Sequence, residues 1–268
     1  MQVEMLVSTM NQKDSSLLAK MNISGKSTVI NQITDEKIQA FKDINEEEIK
    51  FISLKDRGLS KSRNMALNNA TAEICVVCDD DMEYPTDYER IILKHYIDNP
   101  DVDIIIFQVQ KEDGSFYKKY KNKKRMLNLL SIMKVSSVEI TFRRESIIKA
   151  GIKYNELFGA GSKFFMGEES IFLSQCIKAG LKVLYVPEII GKLSDSESTW
   201  FRGYDKEYFM VKGACFYAMG PKFYFILILQ FAMRKHKFYK ETVSLLNAIN
   251  FMIKGKKEYK RLASGELK

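Results

Sequence analysis

Cysteine, proline, histidine and tryptophan are all scarce in this 268-residue chain, which holds four, four, two and one of them. Four cysteines do not make a disulfide framework. Cys75 and Cys78 have CxxC spacing, but they lie inside the apolar run 74–78, which reads as a buried strand. A zinc site would need a second pair of soft ligands. Cys176 and Cys215 stand alone, and the two histidines are His95 and His236. Reduced thiols and a cytoplasmic setting are the expectation. The prolines are isolated, at 85, 100, 187 and 221, and neither an internal repeat nor a low-complexity linker is present. Long apolar runs are missing as well. The longest, residues 223–233, has 11 residues and contains Gln230, well short of the roughly 20 needed to span a bilayer. The opening MQVEMLVSTMNQ has no basic segment followed by a long apolar stretch, so no signal peptide is expected.

What is present is an ordinary globular composition, 46% hydrophobic and 28% charged, in a chain long enough for one large α/β domain. The net charge of +8 is unevenly placed. After residue 220, eleven Lys and Arg stand against three Glu, so residues 1–220 are neutral and the tail carries the excess.

Apolar clusters alternate with helical stretches, the pattern of a largely parallel sheet covered by helices. Strands are expected over 3–8, 28–33, 50–54, 73–78, 102–109, 138–142 and 182–186, the last ending at Pro187. Helices are expected over 60–69, from near Pro85 to 97, over 145–150 up to Gly151, and over 168–178 up to Gly180. Residues 111–135 are polar and basic and yield no assignment. The tail reads as two helices, 222–235 and 240–253.

The sharpest feature is Asp79-Asp80-Asp81 directly after the buried strand 73–78. In open α/β sheets ligands bind at the carboxyl ends of strands. Three adjacent carboxylates repel one another unless something neutralises them. A hard divalent cation, Mg²⁺ or Mn²⁺, does so with one or two carboxylates plus substrate phosphates. The bland reading is a solvated acidic turn ahead of the helix near Pro85.

From residue 3 to about 217 the chain resembles the inverting glycosyltransferases of family 2. The resemblance implies a GT-A fold: an α/β domain with a mostly parallel central sheet flanked by helices. Asp79-Asp80-Asp81 looks like that family's DXD motif. By resemblance Asp79 and Asp80 belong to the nucleotide site, Asp79 contacting ribose or metal, and Asp81 is the direct metal ligand. The segment Val7-Ser8-Thr9-Met10-Asn11 resembles the first strand and its turn, placing Thr9 and Asn11 beside the nucleobase. Gly58-Leu59-Ser60-Lys61-Ser62-Arg63-Asn64 is similar to the family's Ala-Arg-Asn segment. Arg63 there, opening a helix, would add a cation where a diphosphate is attracted; otherwise it is a surface arginine. The second strand departs from the family pattern. It ends Asn31-Gln32 rather than in aspartates, so the base would be read by uncharged amides, with uridine the expected nucleoside and a plain polar loop the alternative.

Gly167-Glu168-Glu169-Ser170 opens a helix where the family carries its acid pair. The resemblance makes Glu169 the base that deprotonates the acceptor hydroxyl, with the metal stabilising charge on the departing phosphate. Glutamate is one methylene longer than the usual aspartate, so Glu168 could serve instead, or both could simply favour the helix N-terminus. Phe158-Gly159-Ala160-Gly161-Ser162 borders the acceptor pocket by resemblance, or is an ordinary loop. Relatives place a histidine on the metal after the strand ending at Pro187. Here stands Gly191-Lys192-Leu193-Ser194, leaving the metal to Asp81, phosphates and water, or leaving Lys192 to contact phosphate. Trp200 is either a sugar-stacking ring or a core residue.

The expected organisation is a catalytic domain over 1–220, with a nucleotide-binding half to 110 and an acceptor-binding half after it, then a basic amphipathic helical tail over 221–268. An apolar helix bordered by lysines suits an anionic membrane surface, or packs on the catalytic domain. The six Lys and Arg between Tyr117 and Arg125 read first as a solvated loop. The neutral body argues against nucleic acid. The expected reaction moves a sugar from a nucleotide-diphosphate donor, a UDP-sugar, to a glycan or lipid-linked acceptor, at the inner face of the membrane. The rival readings are a non-catalytic scaffold of the same fold, kept open by the missing histidine and the altered base-reading pair, and a nucleotidyltransferase. The latter lacks a Gly-rich, lysine-bearing phosphate loop.

Overall fold

The computed structural model describes residues 1–35, 44–45, 48–194, 201 and 203–265. Trp200 lies outside them. Eighteen elements other than short 3₁₀ turns follow in chain order: β1 (Val3–Met10), α1 (Ser16–Lys20), β2 (Ser27–Gln32), β3 (Ile44–Asn45), β4 (Ile49–Leu54), α2 (Leu59–Asn69), β5 (Ile74–Asp79), β6 (Met82–Glu83), α3 (Tyr88–Ile97), β7 (Ile104–Lys111), β8 (Arg125–Met126), β9 (Ile140–Arg143), α4 (Arg144–Lys149), α5 (Glu168–Lys178), β10 (Val183–Leu193), α6 (Lys206–Met219), α7 (Tyr224–Tyr239) and α8 (Leu245–Ala263).

Among the described residues the strands form one sheet, ordered β3-β4-β2-β1-β5-β9-β7-β10-β6, with β8 on the flank of β10. The run β4, β2, β1, β5 is parallel, as is the pair β7 and β10. Strand β9 runs against both β5 and β7 and joins these two blocks. The near-continuous apolar runs follow from burial on both faces. Along β5, Cys75 and Val77 enter one core while Ile74, Val76 and Cys78 enter the other. Strand β7 divides likewise, Ile104 and Ile106 against Ile105, Phe107 and Val109.

Two boundaries differ from the sequence reading for physical reasons. Helix α3 starts at Tyr88, three residues after Pro85. Strand β10 does not stop at Pro187 but continues to Leu193. Its pairing with β7 shifts register between Tyr185 and Ile189, and a bulge accommodates a residue that has no N–H to donate. The uninterpreted stretch 111–135 contains β8 and a 3₁₀ turn, Ile132–Lys134.

The tail helices are longer than expected. Ile228, Phe231 and Ala232 of α7 and Ala248 and Met252 of α8 join the core that covers one face of the sheet. Helices α6 and α8 cross backbone to backbone. A Cβ on Gly213 would lie 1.9 Å from the Met252 carbonyl oxygen, and one on Gly255 would lie 1.8 Å from that of Met210. Neither position tolerates a side chain without separating the helices. Gly213→Val should therefore lower stability in urea denaturation by about 3 kcal/mol or more, the upper range for forced overpacking. An unchanged midpoint would show that the helices part without cost.

Candidate active site

The parallel register brings the polar ends of three strands to one edge. Thr9 of β1 pairs with Asn31 of β2, and Ser8 of β1 pairs with Asp79 of β5. Local chain geometry then uses these side chains to hold the loops that follow. Asn31 accepts from the Gln12 backbone N–H at 2.9 Å and donates to the Gln12 carbonyl at 2.9 Å. Gln32 donates to the Gly58 carbonyl at 3.2 Å. Asn11, at φ +56, accepts the Thr34 N–H at 2.9 Å. Asn31 and Gln32 are almost fully buried.

The three aspartates have three different environments. Asp79 accepts from Arg63 Nη2 at 2.7 Å through Oδ1 and from Ser137 Oγ at 3.0 Å through Oδ2. Asp80 accepts from Thr9 Oγ1 at 2.6 Å, and burial raises its pKa from the ordinary carboxylate value, opposed by that hydrogen bond. Asp81 lines a cavity of about 200 Å³ together with Asp80, Glu83, Glu112 and Lys192.

Arg63 was expected to face a diphosphate. The structure turns it inward instead. It is 2% exposed and forks between two carboxylates, Nη2 on Asp79 and Nη1 on Glu168 at 2.8 Å. Its guanidinium lies over the Tyr154 ring at 5.6 Å, and that ring stacks on Phe172 at 4.3 Å. Burial alone would lower its pKa, but the charges of Asp79 and Glu168 outweigh it and raise the value. The next residue, Asn64, clasps Tyr154 through both its backbone N–H and its carbonyl, at 2.8 and 2.9 Å. Helix α2 thus joins the first half of the chain to the second.

The Gly-containing segment after Tyr154 packs on the start of α2. Leu59 N–H donates to the Ala160 carbonyl, and Ser60 Oγ to that of Phe158. Gly159 and Gly161 have φ of +99 and +78, conformations an L side chain rarely adopts.

Helix α5 begins at Glu168, after Gly167 at φ +101. A Cβ on Gly167 would sit 2.7 Å from Cys215 Sγ, so the glycine lets the first turn of α5 approach α6. Glu169 follows Glu168 and is largely enclosed, with Lys212 and Arg63 among the charges around it. Burial first, and the adjacent Glu168 second, push its carboxyl up to about 8.

Four further residues border the site that sequence reasoning did not single out. Ser137 reaches Asp79, and the buried Glu139 takes Lys118 at 2.7 Å and Tyr120 at 2.5 Å. Lys118 and Tyr120 lie in the segment that reads from sequence as solvated. A signal was available: Ser136-x-x-Glu139 has capping-box spacing, and the structure forms that box.

Comparisons with known proteins identify the family and the fold. The family model described as Glycosyl transferase family 2 matches residues 31–172, more than half of the chain. Among solved structures, S. aureus TarS 1-349 in complex with UDP is similar at a TM-score of 0.63 and 17% identity, over 95% of this chain and 81% of that one. Its complex with UDP-GlcNAc is similar at a TM-score of 0.63 and 16% identity, with the same coverage. The longer S. aureus TarS structure gives a TM-score of 0.63 and 16% identity over 95% of this chain and 49% of that one. At these identities the likeness is one of fold. A search of curated proteins found no match.

Removing Arg63 would leave two carboxylates enclosed without their cation. Arg63→Met should lower unfolding stability by about 3–5 kcal/mol, the cost of breaking a buried pair from one side. Arg63→Lys should recover only part of it, since one ammonium cannot fork as a guanidinium does. Urea midpoints matching the parent would show that the bridge does not hold the halves together.

Proposed function

This chain belongs to glycosyl transferase family 2, and from that premise we propose that it moves a sugar from a UDP-sugar to a hydroxyl of a glycan or lipid-linked acceptor, with inversion, in surface polysaccharide synthesis. The observation that carries this reading is the Arg63 fork. It ties the acidic end of β5 to the first turn of α5, which supports reading the carboxylates at both ends as parts of one site. The TarS structures with UDP and UDP-GlcNAc support a uridine donor on this fold.

The donor set suits a hard cation held with substrate phosphates rather than an all-protein cage. No group of three His, Cys, Asp or Glu gathers for a metal among the described residues. Asp79 is engaged by Arg63 and Ser137, while Asp81 lines the cavity beside Asp80. Mg²⁺ and Mn²⁺ are commonly bound by one or two carboxylates plus phosphates. Asp81 would hold such an ion, and the ion would offset charge on the departing diphosphate. Lys192, in the same cavity, would add a second cation toward the phosphates.

In the transfer, Glu169 takes the proton of the acceptor hydroxyl as that oxygen attacks the anomeric carbon. Attack opposite the diphosphate inverts the centre. Glu168 stays with Arg63 and fixes the first turn of α5. Docking of a lipid-linked acceptor on the inner membrane face is supported by α7. It exposes Phe225, Ile226 and Met233 close to Lys235, Lys237 and Lys240, a composition suited to an anionic interface. No helix among the described residues is long and apolar enough to cross a membrane.

Calorimetric titration of UDP with Mn²⁺ tests the donor site. The parent should bind, and Asp81→Ala should lose the metal-dependent part of the affinity. Binding of GDP or TDP in preference to UDP would overturn the nucleoside assignment.

The base has its own signature. Glu169 works only when ionised, and its carboxyl is pushed up to about 8. The kcat/KM of the free enzyme should therefore fall about tenfold per pH unit below that value and level off above it. Glu169→Gln should lose roughly 10²–10⁴-fold in rate, the usual contribution of a positioned base, while still binding UDP. A flat profile from pH 5 to 9 would exclude Glu169 from the role.

A further inference from the structure

Asp79 is oriented from two sides, and the second side begins far from the acidic cluster. Ser137 Oγ donates to its Oδ2 at 3.0 Å. Ser137 opens the 3₁₀ turn Ser137–Glu139 just ahead of β9. The turn is closed by Glu139, whose Oε2 accepts the Ser136 backbone N–H at 2.9 Å.

Glu139 is 1% exposed, and burial raises its pKa. A buried carboxylate persists where donors converge on it. Here they are Lys118 Nζ and Tyr120 O–H. Lys118 also donates to Ser136 Oγ at 3.2 Å and to the Lys134 carbonyl. Tyr120 Oη accepts the Val109 N–H at 3.1 Å, and Tyr117 N–H donates to the Val109 carbonyl at 3.1 Å. Residues 117–120 are thus stapled between the end of β7 and the turn that carries Ser137.

We propose that Ser137 is a positioning residue for Asp79, and that Lys118 and Tyr120 hold it in place through Glu139. The segment 117–120 then sets donor affinity without touching the donor. A carboxylate fixed on two sides meets a ligand without first losing rotamer freedom, which improves affinity through pre-organisation. The inference rests on the donor-site reading above and deepens it.

The test is titration of the full chain with UDP and Mn²⁺. Ser137→Ala should bind about tenfold more weakly, the order expected for one hydrogen bond to a charged group. Ser137→Thr, which keeps the hydroxyl, should restore most of that loss. Tyr120→Phe keeps the ring and removes one donor to Glu139, and should weaken binding by about threefold. Because Tyr120 acts through Ser137, the double variant should bind no more weakly than Ser137→Ala alone, a non-additivity that a separate structural role would not produce. Lys118→Met should behave in the same way as Tyr120→Phe. Parent-like affinity in Ser137→Ala, or a double variant showing the product of the two single losses, would overturn the inference. A parent chain that binds no UDP would overturn the donor reading beneath it, and is distinguished by failing before any variant is compared.

Discussion

Arg63 sits where water does not reach and holds two carboxylates that are far apart in the chain, Asp79 at the end of β5 and Glu168 at the start of α5. Burying a guanidinium is costly unless its donors are matched in the geometry they demand. That demand constrains everything nearby. Helix α2 must present Arg63 at this depth, which it does because Asn64 locks onto Tyr154 and the 158–161 segment packs on its first turn. Helix α5 must bring its first turn up to α6, which Gly167 permits. The glycines and the arginine therefore serve one end: they let the acidic edge of the sheet and the acidic turn of a helix approach each other without the charges repelling.

The same arrangement separates two adjacent glutamates. Glu168 carries the bond to Arg63. Glu169, one residue on, has no such partner on α2, feels the negative charge of Glu168, and is enclosed. Identical side chains thus meet different surroundings, one in an ion pair with Arg63 and one beside a like charge. The fork on Arg63 commits Glu168 to the interior.

The sheet and the acidic cluster were legible because their signals are local. A buried strand is an apolar run, and a charge cluster after it is visible in four residues. Gly151 and Gly180 marked helix ends for the same reason. What sequence did not reveal were pairings across long separations. One partner of Arg63, Glu168, lies 105 residues away, and Lys118 and Tyr120, which bond Glu139, lie in a basic segment whose composition alone reads as solvent-facing. Pro187 misled because a bulge, which depends on the register with β7, can carry a proline through a strand. The family resemblance casts Asn31 and Gln32 as base-readers; what sequence did not show is that their buried amides bond to Gln12 and Gly58.

Consecutive aspartates cannot all face one way, and this chain turns that geometry to use. At the end of a strand, successive side chains alternate between faces. Asp79 therefore points toward α2 and the Ser137 turn, and Asp80 toward Thr9, before the chain bends to set Asp81 at the cavity with Lys192. Asp80 and Asp81 both line that cavity. Few protein ligands gather there, so under the proposed function a cation would be held largely by the phosphates bound with it. Lys192 lines the same cavity. The three carboxylates thus have three different surroundings, and their order along the chain follows from the geometry of a strand that ends there.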